Sequence, residues 1–292
     1  MSQAEINQIC IIGVGLIGGS LARALRSAGF CQEIIGAGRS ADNLEKAVSL
    51  GVIDRFETDL AKAVVDADVI VLAVPVGAIK PVLESIKDKM KPNAILTDVG
   101  STKASVVADV KAVLGEACSH FVPGHPIAGT EQSGVEASFA ELFKDRRVIL
   151  TPLSETDSNS TVLVRAMWES AGAEVSEMSV AHHDDVLAAT SHLPHLLAFS
   201  LVDTLAQMDE QTEIFKFAAG GFRDFTRIAS SDPVMWHDIC LANHDAIIKI
   251  LDRFTTDLDE LKNAMNNSDS NKILEIFKRA REARDRYKQS EQ

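Results

Sequence analysis

Gly13-Val14-Gly15-Leu16-Ile17-Gly18 lies between an apolar run at Ile9–Ile12 and a helical pattern that starts at Leu16, and it restricts the possible folds more tightly than any other segment. In a strand–turn–helix context each glycine has a separate task. Gly13 makes the tight turn, Gly15 lets the backbone approach a pyrophosphate, and Gly18 lets helix and strand pack closely, while the helix amides of Leu16, Ile17 and Gly18 face the anion. A glycine-rich turn with no ligand is the competing reading. The strand before and the helix after favour a dinucleotide.

The rest of the first half repeats this alternation. Candidate strands are Ile9–Ile12, Glu33–Gly36, Val69–Val74, Ala94–Asp98, His120–Val122 and Arg147–Leu150, separated by amphipathic stretches such as Leu16–Ala28 and Asn43–Leu50. Short β-branched runs alternating with helices predict an α/β, doubly wound parallel sheet. Beyond Thr151 only Val175–Met178 reads as a strand. Val186, Ala189, Leu193, Leu197, Leu201 and Leu205 then recur at helical spacing, as do Ile247, Leu251, Phe254, Leu258 and Leu261. We therefore expect a nucleotide-binding domain over 1–176 and an all-helical domain over 177–292, whose apolar stripes pack together or against a second copy of the chain.

The second strand ends in Ile35-Gly36-Ala37-Gly38-Arg39-Ser40. NAD sites commonly place Asp or Glu here to bond the ribose hydroxyls, but this segment has no acid. Arg39 can pair with a 2′-phosphate and Ser40 can donate a hydrogen bond to it, which suits NADP. Arg39 stacked on adenine or facing solvent, with NAD held by other contacts, is the alternative.

The net charge of −13 opposes a general attraction to nucleic acid or an anionic membrane, so an anionic substrate must meet a local cationic cluster. Four scattered cysteines without C-x-x-C spacing fit a reducing, cytoplasmic setting. No apolar run reads as long enough to span a bilayer.

Three segments combine glycine or proline with reactive side chains: Asp98–Lys103, Gly124–Glu131 and Gly220–Arg227. The first two follow predicted strands, at the edge where open α/β sheets bind ligands. His125, in a loop bounded by Gly124 and Pro126, suits proton abstraction near neutral pH, or is a structural histidine. His192 and His195 share a helical face with Asp184 around Pro194. Without a third ligand they read as core or substrate-polarising groups rather than a metal site. Arg223 and Arg227 can each grip a carboxylate, although Arg223 can instead pair with Asp224.

The ordered set G-V-G-L-I-G-G-S at Gly13–Ser20, D-V-G-S-T-K at Asp98–Lys103, G-H-P-I-A-G-T-E at Gly124–Glu131, S-H-L-P-H at Ser191–His195 and G-G-F-R-D-F-T-R-I-A at Gly220–Ala229, followed by Trp236, resembles the prephenate/arogenate (cyclohexadienyl) dehydrogenases. The resemblance implies a Rossmann-like domain joined to a helical dimerisation domain, a homodimer, and NADP- or NAD-linked oxidative decarboxylation of prephenate or arogenate in tyrosine biosynthesis. It also implies that His125 is the catalytic histidine, that Ser101 helps orient the substrate, that Arg227 binds a substrate carboxylate, that His195 lines the substrate pocket and that Glu131 stands near its entrance. The second-strand ending departs from the family's common acidic pattern. A dehydrogenase of the β-hydroxyacid type and an NADP-binding sensor without turnover remain as alternatives, the former lacking an evident catalytic lysine on a helix.

Overall fold

The computed structural model describes residues 6–130, 132–208 and 211–290. Six strands form a wholly parallel sheet in the order β3-β2-β1-β4-β5-β6. They are β1 (Ile6–Ile12), β2 (Cys31–Ala37), β3 (Arg55–Glu57), β4 (Val69–Leu72), β5 (Ile95–Asp98) and β6 (Phe121–Val122). The helices between them are α1 (Leu16–Ala28), α2 (Ala41–Ser49), α3 (Leu60–Ala63), α4 (Ile79–Ile86) and α5 (Ala104–Leu114). The predicted doubly wound sheet is present, and its order reverses between β1 and β4, which opens a crevice at the carboxyl ends of those strands.

Alternate side chains of each strand feed two apolar clusters, as the two-residue period of a strand requires. Ile9, Ile11, Val69 and Val71 join Leu21, Leu25 and Leu44 in one cluster. Cys10, Ile12, Ile70 and Leu72 join Leu83, Ile86, Val106 and Val110 in the other. Burial on both faces explains why these strands read as unbroken apolar runs.

The structure corrects the expected strand set in three places. Arg147–Leu150 (β8) lies outside the parallel sheet: it pairs antiparallel with a short strand β7 (Gly124–Pro126) and parallel with β9 (Glu174–Glu177). His125 therefore stands in a strand, opposite Ile149, and not in a loop. The three-residue β3 carries too short a pattern to be read from sequence.

Helix α6 (Ser158–Ser170) precedes β9, and helices dominate thereafter: α7 (Val180–Leu187), α8 (Leu193–Ala206), α9 (Gln211–Lys216), α10 (Gly220–Thr226), α11 (Pro233–Ala242), α12 (His244–Asn266) and α13 (Ser270–Ser290). Between α7 and α8, Ala188–His192 form a π turn. Pro194 lies just beyond it and has no N–H to donate one turn back, a local cause for the widened helix. Contrary to the sequence expectation, Val180–Ala206 is long and apolar enough to cross a membrane by length and composition, with mean hydropathy 1.2. It nevertheless carries His183 and Asp184, both buried within the protein. The chain divides into two compact units, Met1–His244 and Asp245–Gln292. In the second, Lys272 Nζ meets Glu260 Oε1 at 2.8 Å.

Trp168 is fully buried, edge-on to Phe143 with ring centroids 5.1 Å apart, and its indole N–H has no hydrogen-bond partner among the described residues. Trp168→Ala should remove about 3–5 kcal/mol of stability, read from the urea unfolding midpoint. Trp168→Phe should lose less, because it keeps a ring in place and removes the unpaired donor.

Candidate active site

The glycine turn has the steric signature of a dinucleotide cradle. Gly13 adopts φ +100°, and a Cβ there would stand 2.3 Å from the Ala73 carbonyl oxygen. A Cβ on Gly18 would meet the Gly13 carbonyl oxygen at 2.2 Å, whereas one on Gly15 would meet nothing within 4 Å. Two glycines are thus needed for internal packing, and the third leaves open space beside the first amides of α1. Among the described residues no side chain caps that helix end, which leaves its amides and dipole available to an anion. Asn43 Nδ2 donates to the Val14 carbonyl at 3.0 Å and ties α2 to the turn. Ser40 caps α2 by accepting from the Asn43 N–H at 3.3 Å, and its own O–H can still donate outward. Arg39 beside it is exposed. These residues fit a dinucleotide.

Beyond β5 the chain forms a buried polar cluster. Lys103 is fully buried; its ammonium bonds the Asp98 carboxylate and donates to the Gly124 carbonyl oxygen at 2.7 Å. Asp98 also accepts from the Gly100 N–H at 2.8 Å and from the Gly124 N–H at 3.2 Å. The Lys103–Asp98 pair thus fastens β7, and with it His125, to the end of β5. Burial pushes the Lys103 pKa below the usual lysine range, and the Asp98 carboxylate opposes that shift.

Asp184, on α7, reaches the start of α5. Its Oδ1 accepts from the Lys103 N–H at 2.9 Å and its Oδ2 from the Ala104 N–H at 2.8 Å. Burial raises its pKa, but hydrogen bonds from His183 and these two amides outweigh burial and hold it below the usual carboxylate range. His183 Nδ1 lies 2.7 Å from Asp184 Oδ1, and His183 Nε2 lies 2.9 Å from His125 Nδ1. His125 is 8% exposed. Burial, followed by the neighbouring His183, Lys103 and His192, keeps its pKa well below the ordinary histidine value, so the ring is neutral and able to accept a proton.

A second group lies further along the helical run. Asn243 donates to the Asp184 carbonyl oxygen at 2.9 Å and to His192 Nδ1 at 3.1 Å. His195 stacks on Trp236 with centroids 3.8 Å apart, and its Nδ1 donates to the Ser191 carbonyl at 2.8 Å. Burial lowers the His195 pKa; the Ser191 bond opposes this and the positive charge of Arg227 adds to it. Arg227 opens a 3-10 turn, Arg227–Ser230, after α10 and is exposed. Ser101 is half-buried in the turn before α5. Glu131 lies outside the described residues. Among the described residues no group of three His, Cys, Asp or Glu side chains could hold a metal ion.

Sequence reading passed over His183, Asn243 and the internal role of Lys103. The His182-His183-Asp184-Asp185 run carried a signal for the first, since an imidazole next to a carboxylate can be oriented by it.

Residues 21–177 match the prephenate dehydrogenase nucleotide-binding domain family, and residues 179–279 match the prephenate dehydrogenase dimerization domain family. A cyclohexadienyl dehydrogenase of Zymomonas mobilis is 40% identical over 281 residues, covering 94% of each chain. The crystal structure of prephenate dehydrogenase from A. aeolicus, in complex with hydroxyphenyl propionate and NAD+, superposes with a TM-score of 0.91 at 39% identity, covering 98% of this chain and all of that one (100%). A Synechocystis arogenate dehydrogenase structure gives 0.81 at 30% identity, covering 96% of this chain and 99% of that one.

Two measurements check the electrostatics of the cluster. Lys103→Met leaves the Asp98 carboxylate buried without its cation and should cost about 3–5 kcal/mol of stability. Burial lowers the His192 pKa from 6.5 to about 4. The unfolded chain therefore takes up that proton first on acidification, so this contribution is complete above about pH 6.5 and is lost as pH falls through that window. The urea midpoint should drop between neutral pH and the lower edge of the window, and His192→Asn should narrow the drop.

Proposed function

The chain belongs to the prephenate dehydrogenase family, whose reaction is the NAD(P)-linked oxidative decarboxylation of prephenate or arogenate on the route to tyrosine, and we propose that His125 is the base that serves it here. The observation that carries this is a buried, neutral imidazole fixed through Gly124 to the carboxyl end of β5, in the same parallel sheet whose first turn has the steric form of a dinucleotide cradle.

When bound, the nicotinamide supplies a hydride acceptor for C4 of the substrate ring. His125 takes the proton of the C4 hydroxyl as that carbon is oxidised. The C1 carboxylate leaves as carbon dioxide, its bonding electrons enter the ring, and the proton returns to the phenolate oxygen as the ring becomes aromatic. No net proton is released. Ser101 orients the hydroxyl, Arg227 holds a substrate carboxylate and His195 on Trp236 lines the pocket. Arg227 must not favour the bound carboxylate over the decarboxylating state, since only interactions stronger in the transition state accelerate the reaction.

Arg39 and Ser40 favour NADP: an exposed guanidinium beside an outward-facing hydroxyl suits a 2′-phosphate. NAD is the second reading, supported by the NAD+ bound in the A. aeolicus relative. The functional boundary falls at 176/177, with α7–α11 drawn onto the α/β part by Asp184. A second copy of the chain is the partner for apolar side chains left exposed on the helical part, among them Leu258, Leu274 and Phe277. The setting is the cytoplasm.

Steady-state oxidation of prephenate and of arogenate, each with NAD and NADP, tests the reading: reduced nicotinamide should form one-to-one with carbon dioxide. No turnover with any pair would remove it. His125→Asn should lower kcat by about 10²–10⁴-fold while leaving nucleotide affinity unchanged. Arg39→Ala should weaken NADP by about 10–100-fold, the value of a charge-assisted hydrogen bond, with little effect on NAD; equal effects on both would assign Arg39 to adenine stacking.

A further inference from the structure

We propose that Asp184 and His183 are positioning residues that set the tautomer of His125, with its proton on Nδ1 and its lone pair on Nε2. The inference deepens the reading of His125 as the base and rests on it for its catalytic consequence, though not for the tautomer itself.

The argument is one of counting protons. Asp184 accepts backbone N–H groups at both oxygens, from Lys103 at Oδ1 and Ala104 at Oδ2, which favours its ionised form. An ionised carboxylate has no proton to give, so in the 2.7 Å contact His183 Nδ1 must be the donor. A neutral His183 then keeps a lone pair on Nε2. That atom lies 2.9 Å from His125 Nδ1, too close for two lone pairs to face each other, so His125 Nδ1 carries the hydrogen. A neutral His125 has one N–H in total, and its Nε2 is left bare. The opposite tautomer would need a doubly protonated His183, an imidazolium whose side chain is wholly enclosed and whose Nδ1 alone meets the Asp184 carboxylate, while the Asp98 carboxylate is already taken by the Lys103 ammonium.

The consequence is chemical. A substrate hydroxyl can pass its proton only to a bare nitrogen, whereas an N–H there would present it with another donor. The dyad touches no reacting atom; it ensures that the nitrogen not bonded to His183 is an acceptor. Its own position is fixed by α5, because the amides that hold Asp184 belong to the first residues of that helix and follow the turn carrying Ser101.

The test uses the unliganded full chain labelled with nitrogen-15 in its imidazole rings. At neutral pH the His125 signals should show a protonated Nδ1 and a bare Nε2. His183→Leu removes the acceptor and should mix the tautomers and lower kcat by about 10–100-fold, with KM and nucleotide affinity nearly unchanged. His183→Gln, whose side-chain carbonyl can accept from His125 Nδ1, should recover most of the loss. A protonated Nε2 on His125 in the wild-type spectrum overturns the proposal, as does an undiminished kcat in the leucine variant or an equal loss in the glutamine variant. If the leucine variant fails to fold, the wild-type spectrum decides alone. Full activity of His125→Asn alongside a bare Nε2 would instead overturn the role of His125 as base and leave the tautomer assignment standing.

Discussion

Asp184 places its carboxylate against the opening amides of α5, where no side chain of that helix's own N-cap residue does the work. A helix begins with backbone donors that lack intrahelical partners, and an anion at that end is favoured by the donors and by the helix dipole. Here the anion comes from some 80 residues further along the chain. One interaction therefore completes α5, anchors α7 to the parallel sheet and provides the fixed point from which His183 reaches His125. The backbone carbonyl of the same residue accepts from Asn243, which also holds His192. Moving Asp184 would disturb the helix end, both groups of histidines and the approach of α11 together.

The Lys103–Asp98 pair plays the complementary part from inside the α/β layer. A buried ion pair is a poor source of net stability, because desolvation offsets most of the attraction. Its value here is geometric, since Lys103 and Asp98 between them bond the carbonyl and the N–H of Gly124. The residue immediately before His125 is held on both its polar groups, and this leaves the backbone of β7 little freedom.

Legibility in the sequence followed the range of the interactions. Gly13, Gly15 and Gly18 act within one turn, so their spacing alone implied a strand, a turn and a helix, all of which are present. The apolar strands were legible because burial on both faces leaves continuous runs. Arg147–Leu150 was recognised as a strand but assigned to the wrong sheet, because its pairing depends on Gly124–Pro126, a partner too short and too rich in glycine and proline to read as β structure. His125 was marked by its neighbours. His183 was not, because its meaning comes from His125, 58 residues away. Lys103 was read past for a different reason: a lysine in a polar turn ordinarily faces water, and only the tertiary structure shows this one enclosed.

The π turn at Ala188–His192 acts as a phase shift in an otherwise continuous rod. Each residue of an α-helix advances the side-chain direction by about 100°, so one extra residue in a turn rotates everything that follows by about that angle. His183, before the offset, is aimed at the strand carrying His125. His192, the last residue of the π turn, and His195, beyond it, both meet the indole of Trp236. A regular helix would bind these orientations together, and a change that suited one would misdirect the other. With the offset, a single span of chain addresses two sets of neighbours, and the angle between them is a separate variable, set by one widened turn and the proline that follows it.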